Sequence, residues 1–180
     1  MKKRSIAGLL LACALLAGDR ARADEESGGG APDVSRLFQR GRLELTAGGG
    51  YGVDHGESYL ILALGGGYYL RDGLSAGLTG EAWLGPSPQI YDASPSVRYV
   101  FLGSSWRYKP YAGVFYRRTS YSRLSRPIDS AGARAGLVFP LSPRAYLTGG
   151  LAEEHDFNSS AYAGSGRDSV YPEINLEFSF

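Results

Sequence analysis

The 180 residues carry 19 basic and 18 acidic side chains, a formal charge of +1, with 26 glycines, 13 tyrosines and one cysteine. That balance excludes a broadly basic nucleic-acid-binding surface, and a single cysteine excludes an internal disulfide or a multi-thiolate metal centre. The length suits one domain.

Lys2, Lys3 and Arg4 form a basic start, residues 6–18 an apolar run, and Ala21-Arg22-Ala23 a small-residue cleavage pattern. A run of that length fits a signal-peptide core and is too short to cross a bilayer as a helix. The pattern predicts a signal peptide over 1–23. A lipoprotein reading, with Leu10-Leu11-Ala12 before Cys13, competes, but its apolar core shrinks to about seven residues, at the short limit. The leader holds five basic residues and one acid, so its removal leaves 14 basic and 17 acidic residues, net about −3, with no cysteine and one lysine, Lys109. No apolar helical run remains. In a membrane such a chain must be a closed barrel, because only helices and closed barrels satisfy their own backbone in lipid.

Residues 24–39 are acidic, then glycine-rich, and read as a flexible periplasmic lead-in. From residue 40 the side chains alternate with a period of two, the strand period, and the chain divides into eight strands near 41–51, 58–71, 74–84, 96–103, 108–119, 129–141, 144–154 and 170–180. Turn signals separate them: Asp54-His55-Gly56, Asp72-Gly73, the proline-rich stretch 85–95, 104–107, the basic stretch 120–128, Ser142-Pro143 and the Gly/Ser-rich stretch 155–169. Strand lengths match tilted membrane strands. Connections after strands two, four and six read as short and those after three, five and seven as long, the periplasmic–extracellular asymmetry of outer-membrane barrels. The fold class expected is all-β, an eight-stranded antiparallel up-and-down transmembrane β-barrel.

A lipocalin-like soluble carrier would show the same alternation with its apolar face inward. Two features favour apolar-out. The polar face is rich in glycine (Gly48, Gly50, Gly65, Gly67, Gly77, Gly132, Gly136), which a crowded eight-stranded interior needs and a solvated face does not. That face also lacks the lysines of a soluble exterior. The inward face is then expected to carry Arg42, Arg98, Lys109, Arg117 and Arg134 against Glu44, Glu81, Glu154, Glu173 and Glu177. Charges removed from water must be paired, so this five-to-five balance predicts a plugged, salt-bridged interior. Tyr51, Tyr59, Tyr68, Trp83, Tyr99, Tyr108, Tyr116, Tyr146 and Phe178 lie toward strand ends, where an aromatic girdle meets lipid headgroups.

The final stretch, VYPEINLEFSF, places Ile174, Leu176, Phe178 and Phe180 on one strand face and Glu173 and Glu177 on the other. It resembles the C-terminal assembly signal of bacterial outer-membrane β-barrels. With the eight-strand pattern over residues 40–180, the chain resembles the small eight-stranded outer-membrane barrels, such as the membrane domain of outer-membrane protein A and outer-membrane protein X. The resemblance rests on architecture and the terminal signal, so no functional residue carries over. It implies residence in the Gram-negative cell outer membrane and insertion by the barrel-assembly machinery. It also implies contact with outer-membrane lipid and lipopolysaccharide.

The chemistry legible in the chain is sparse. His155-Asp156-Phe157-Asn158-Ser159 resembles the His-x-Ser-Asn patch of lipid A deacylases, with Glu173 as the acid, but Phe157 stands where the nucleophilic serine belongs. His55 is similar in place to the first-loop histidine of palmitoyltransferase barrels. Neither histidine has metal-ligand spacing with another, and the glycine runs at 48–50 and 65–67 lack the Lys-Ser/Thr and following helix of a phosphate loop. The sequence therefore favours a non-enzymatic, monomeric barrel without cofactor, metal or nucleic-acid partner. It would serve envelope structure or surface interaction, with Arg117, Arg118, Arg123 and Arg126 offered to lipopolysaccharide phosphates. A lipid A-modifying hydrolase or acyltransferase and a lipocalin-like carrier are the alternatives.

Overall fold

The computed structural model describes residues 34–54, 57–103, 107–122, 127–157 and 168–180, with backbone alone at 51–54. The leader 1–23, His55, Arg123, Arg126, Ser159 and Ser160 lie outside the described residues. Eight strands follow one another: β1 (Leu43–Asp54), β2 (Glu57–Arg71), β3 (Leu74–Leu84), β4 (Ile90–Val100), β5 (Lys109–Tyr121), β6 (Ile128–Pro140), β7 (Ala145–Asp156) and β8 (Asp168–Ser179). Each pairs antiparallel with its sequence neighbours, and β1 pairs with β8 to close the barrel.

Parity decides the faces as expected. Leu43, Leu45, Leu62, Leu64, Leu78, Val97, Val114, Leu151 and Ile174 are exposed on the outside, Leu64 at 71%. Alternate positions turn inward, among them Glu44, Tyr69, Tyr111, Phe115, Tyr146 and Glu177, all buried. An apolar band of this extent, wrapped around a barrel with a charged core, is the lipid-facing surface of a membrane barrel and not the water-facing surface of a carrier.

The aromatic girdle is smaller than the sequence suggests. Tyr68, Tyr99, Phe101 and Tyr108 ring the short-turn end and are exposed, with Tyr99 edge-on to Phe101 at 5.0 Å and Tyr108 against Phe139 at 5.0 Å. Tyr59 and Tyr146 are buried inside, and Trp83 turns inward against Tyr59. Their inward parity overrides their place near strand ends.

Two connections also differ. β4 begins at Ile90 rather than at 96, so the stretch expected as a loop over 85–95 is half strand, while the connection 101–108 is longer than expected. Three prolines, Pro86, Pro88 and Pro95, suggested a loop, and Pro95 falls inside β4 although it cannot donate to a ladder. The β4–β5 register skips Ser94 and Pro95, and the Ser94 hydroxyl donates instead to the Tyr116 carbonyl at 3.0 Å.

The largest departure is at the start. Of the segment read as a flexible lead-in, residues 34–38 form a 3₁₀ helix, Val34–Phe38, that enters the short-turn mouth of the barrel. Phe38 is fully buried and Leu37 nearly so, packed with Tyr69, Val100, Tyr111, Val138 and Tyr146. Phe38 meets Tyr146 edge-on at 5.1 Å and Tyr69 at 5.9 Å. Gly73 N–H donates to the Phe38 carbonyl at 2.8 Å, and the Ser179 hydroxyl to the Leu37 carbonyl at 2.7 Å. This short helix is a cork.

The β1–β8 seam is short. Glu44–Ala47 pair with Leu176–Ser179, and Leu43 and Phe180 exchange two further backbone hydrogen bonds, whereas every other seam is paired along most of its strands. The last strand, expected to pair with the first over 41–51 if eight strands are to close a barrel, does so over only the lower part of that range. Above Ala47 both strands continue without pairing to each other. Proline at 172 lacks the N–H a rung needs, and a glycine run offers no cross-strand side-chain pairs.

Phe38→Ala should lower the unfolding free energy by about 3–5 kcal/mol, the usual cost of deleting a buried aromatic ring, read from urea unfolding in lipid vesicles. A Cβ on Gly136 would press on the Gly149 carbonyl and lie 2.7 Å from Gly150 Cα, while one on Gly50 would meet nothing within 4 Å. Gly136→Ala should then destabilise by about 1–3 kcal/mol and Gly50→Ala leave the unfolding midpoint unchanged or slightly raised.

Candidate functional site: the charged interior

The lumen is narrow, so each large inward side chain needs a small one opposite. Gly132 is such a place: a Cβ there would collide with the Phe115 ring. The space so made is filled by stacked rings and guanidinium groups. Arg134 lies 4.5 Å from the Phe115 ring centre, Arg117 5.4 Å from Phe115 and 5.8 Å from Tyr171, and Arg98 5.8 Å from Tyr111. The Nε atoms of all three arginines are buried and have no hydrogen-bond partner. Stacking orients the planar guanidinium and leaves its outer nitrogens to the carboxylates.

Three groups result. Near the short-turn end, Arg98 bridges Glu44 and Glu177. Its Nη1 donates to Glu177 at 2.8 Å, and its Nη2 bonds Glu44. Tyr69 and Tyr146 each donate to Glu44 at 2.6 Å, and Thr148 donates to Glu177 at 2.7 Å. Glu177 is 2% exposed. Burial of these charges is tolerable only because the carboxylates are paired and hydrogen-bonded. In the middle, Arg134 lies 3.5 Å from Glu173, which accepts from Tyr111 at 3.2 Å. Toward the long-loop end, Arg117 donates to Glu154 at 3.0 Å and lies 3.9 Å from Glu81. Glu154 also accepts from Ser130, and from Tyr171 at 2.8 Å.

Of the ten charges expected inside, eight are there. Arg42 and Lys109 instead sit half-exposed at the short-turn rim, and no ion pair among the described residues joins Arg42 to Glu177, whose partner is Arg98. Sequence reading missed two inward acids, Asp92 and Asp156. Asp92 was hidden by the stretch misread as a loop, and Asp156 by the early end given to strand seven; strand parity extended by four residues at the first and by two at the second would have found both. The lumen therefore holds Glu44, Glu81, Asp92, Glu154, Asp156, Glu173 and Glu177 against Arg98, Arg117 and Arg134. The expected charge balance does not hold: the interior is acidic. Above the Arg98 group it encloses a cavity of about 620 Å³.

The catalytic candidate is divided by the barrel wall. His155 faces outward, its Nδ1 2.6 Å from Asp168 Oδ1 and its ring edge-on to Phe157. Glu173, its proposed acid, faces inward to Arg134 and Tyr111. Arg117 is likewise inside, so it is not offered to lipopolysaccharide. Arg118 lies on the outer face, 3.9 Å from Asp129. The terminal-signal residues Ile174 and Phe180 are exposed on the outer face, with Leu176 and Phe178 half-buried between neighbours. Among the described residues no cluster of three or more metal-ligating side chains occurs.

Arg98→Ala should cost about 3–5 kcal/mol of stability, because it leaves two buried carboxylates without their cation. Urea unfolding of the variant in vesicles measures this.

No protein-family model and no curated protein matches the chain. Solved structures do. The N-terminal β-barrel domain of Pseudomonas aeruginosa OprF is similar over 78% of this chain and 98% of that one, at 15% identity and a TM-score of 0.59. The outer-membrane protein OprG of the same organism covers 81% and 98%, at 14% and 0.49. Neisserial surface protein A covers 77% and 90%, at 18% and 0.43. With its closed eight-strand topology and lipid-facing apolar band, the chain has the fold of the small outer-membrane β-barrels.

Proposed function

We propose that the protein is a non-enzymatic outer-membrane barrel with a plugged, salt-bridged interior, serving envelope structure or surface interaction through its long-loop end. The observation that carries this reading is the double closure at the short-turn end. The 3₁₀ cork seats Leu37 and Phe38 in the mouth. Directly behind it the Arg98–Glu44–Glu177 group, with Tyr69 and Tyr146, spans the lumen. A hydrated ion would have to break both. At the opposite end the exposed Arg118 faces the outer leaflet, where lipopolysaccharide phosphates are the natural partner of an exposed guanidinium. Ile174, Leu176, Phe178 and Phe180 are the segment offered to the barrel-assembly machinery.

Planar-bilayer recording tests the plug. The mature protein should give no steady unitary conductance, and Phe38→Ala combined with Arg98→Ala should give one. A steady ohmic channel from the unaltered protein would overturn the reading. Mass spectra of lipid A from cells with and without the protein should be identical; an acyl-chain change abolished by His155→Ala would favour the enzyme alternative.

A further inference from the structure

The cavity reaches the barrel wall at the β1–β8 seam. Beyond the β1–β8 pairs, the free edges of the two strands both line it: Gly48, Gly49 and Gly50 on one side, Pro172, Ile174 and Asn175 on the other. Around Gly50 no heavy atom lies within 4 Å of a would-be Cβ. Unpaired backbone facing lipid is costly, and is tolerated where it borders a polar cavity. The seam is thus a lateral slot between the lumen and the apolar layer. Its β1 edge carries no side chains from Gly48 to Gly50, and Ile174 of the β8 edge lies exposed at the outer lip.

The charge inside selects what enters. The cavity lining holds six carboxylates and three guanidinium groups: Glu44 and Glu177 share Arg98, Glu154 and Glu81 share Arg117, Glu173 holds Arg134, and Asp156 is in none of these ion pairs. Asp92 adds to the excess. It is 8% exposed, pairs across β3 with Glu81, and its Oδ1 is buried with no hydrogen-bond partner. An anionic head would add to this unbalanced charge; a cationic head would offset it. The volume lies within the range of small-molecule sites, and Trp83, with its indole N–H buried and unpartnered, lines the same space.

We propose that this cavity binds a cationic amphiphile. The ammonium head sits among Glu81, Glu154 and Asp156, with Asp92 behind Glu81 on the next strand, and the alkyl tail leaves through the β1–β8 slot into lipid. The site goes beyond the plugged-barrel reading and does not depend on it, because a leaky floor would change conductance without changing the charge or the slot.

Trp83 reports on occupancy. In the mature protein carrying Trp106→Phe, reconstituted in nanodiscs, 11-bromoundecyltrimethylammonium should quench Trp83 fluorescence saturably. The matched carboxylate, 11-bromoundecanoate, should quench at least tenfold more weakly. Glu81→Gln with Asp156→Asn should raise the half-saturating concentration of the ammonium probe at least tenfold. The mature chain has no cysteine of its own, so Gly49→Cys with Ile174→Cys can close the slot as a disulfide. Oxidation should abolish quenching and reduction restore it. Heat-modifiable gel migration verifies that each variant is folded. Non-saturable quenching of equal strength in the folded charge variant, or preference for the carboxylate, would overturn the proposal. So would full quenching with the disulfide formed.

Discussion

The structure depends on the narrowness of an eight-stranded barrel. Alternate residues must point into a lumen only a few side chains wide, and every polar group sent there loses water. The chain meets this with glycine on one strand and a ring or guanidinium on its neighbour, as where Gly132 yields to Phe115 and Arg134 stacks on that ring. Close packing of this kind replaces solvent as the source of partners for the inward carboxylates. A guanidinium is suited to it, because its flat face packs on aromatic carbon while its edge serves two carboxylates at once.

The closure at the short-turn end follows from the same economy of space. Once Tyr69 and Tyr146 fill the mouth and turn their hydroxyls up to Glu44, what remains below them is an apolar recess. Leu37 and Phe38 are the nearest apolar side chains in sequence, five residues before β1, and the recess draws them in. Their backbone carbonyls then need donors, which Gly73 and Ser179 supply. The cork ties β1, the β2–β3 turn and the end of β8 together where the seam itself has few rungs.

Strand number, order and facing were legible because a period of two over a long stretch has one geometric meaning. Leu60, Leu62 and Leu64 alone indicate which face is apolar, and eight such segments with turn residues between them leave little else to build. Three things were not legible. Pro95 looked like a loop because the compensating hydroxyl of Ser94 acts through a neighbouring strand. Tyr59 and Tyr146 looked like girdle residues because distance from a strand end says nothing about parity when both faces accept tyrosine. The 3₁₀ cork is too short for any periodicity, and only the recess that receives it explains its order. The acid excess inside was missed for a related reason: Asp92 and Asp156 lay just beyond strand limits drawn from turn residues, and element ends are where local signals are least defined.

The weak seam and the cavity are one feature. Every other strand pair has a covalent turn to set its register, but β1 and β8 meet only through their own pairing. That pairing survives where Leu45 meets Phe178 and Ala47 meets Leu176 on the lipid face. It stops where glycine replaces side chains on β1, and Pro172, four residues further along β8, has no donor with which to resume it. The same substitutions that end the ladder also empty the adjacent lumen, because glycine at 48 and 50 fills no interior volume. Opposite the bare β1 edge, β4, β5 and β6 each send one guanidinium inward, Arg98, Arg117 and Arg134. A barrel with bulk distributed evenly around its wall would have neither slot nor cavity; concentrating the bulk on one side leaves both on the other.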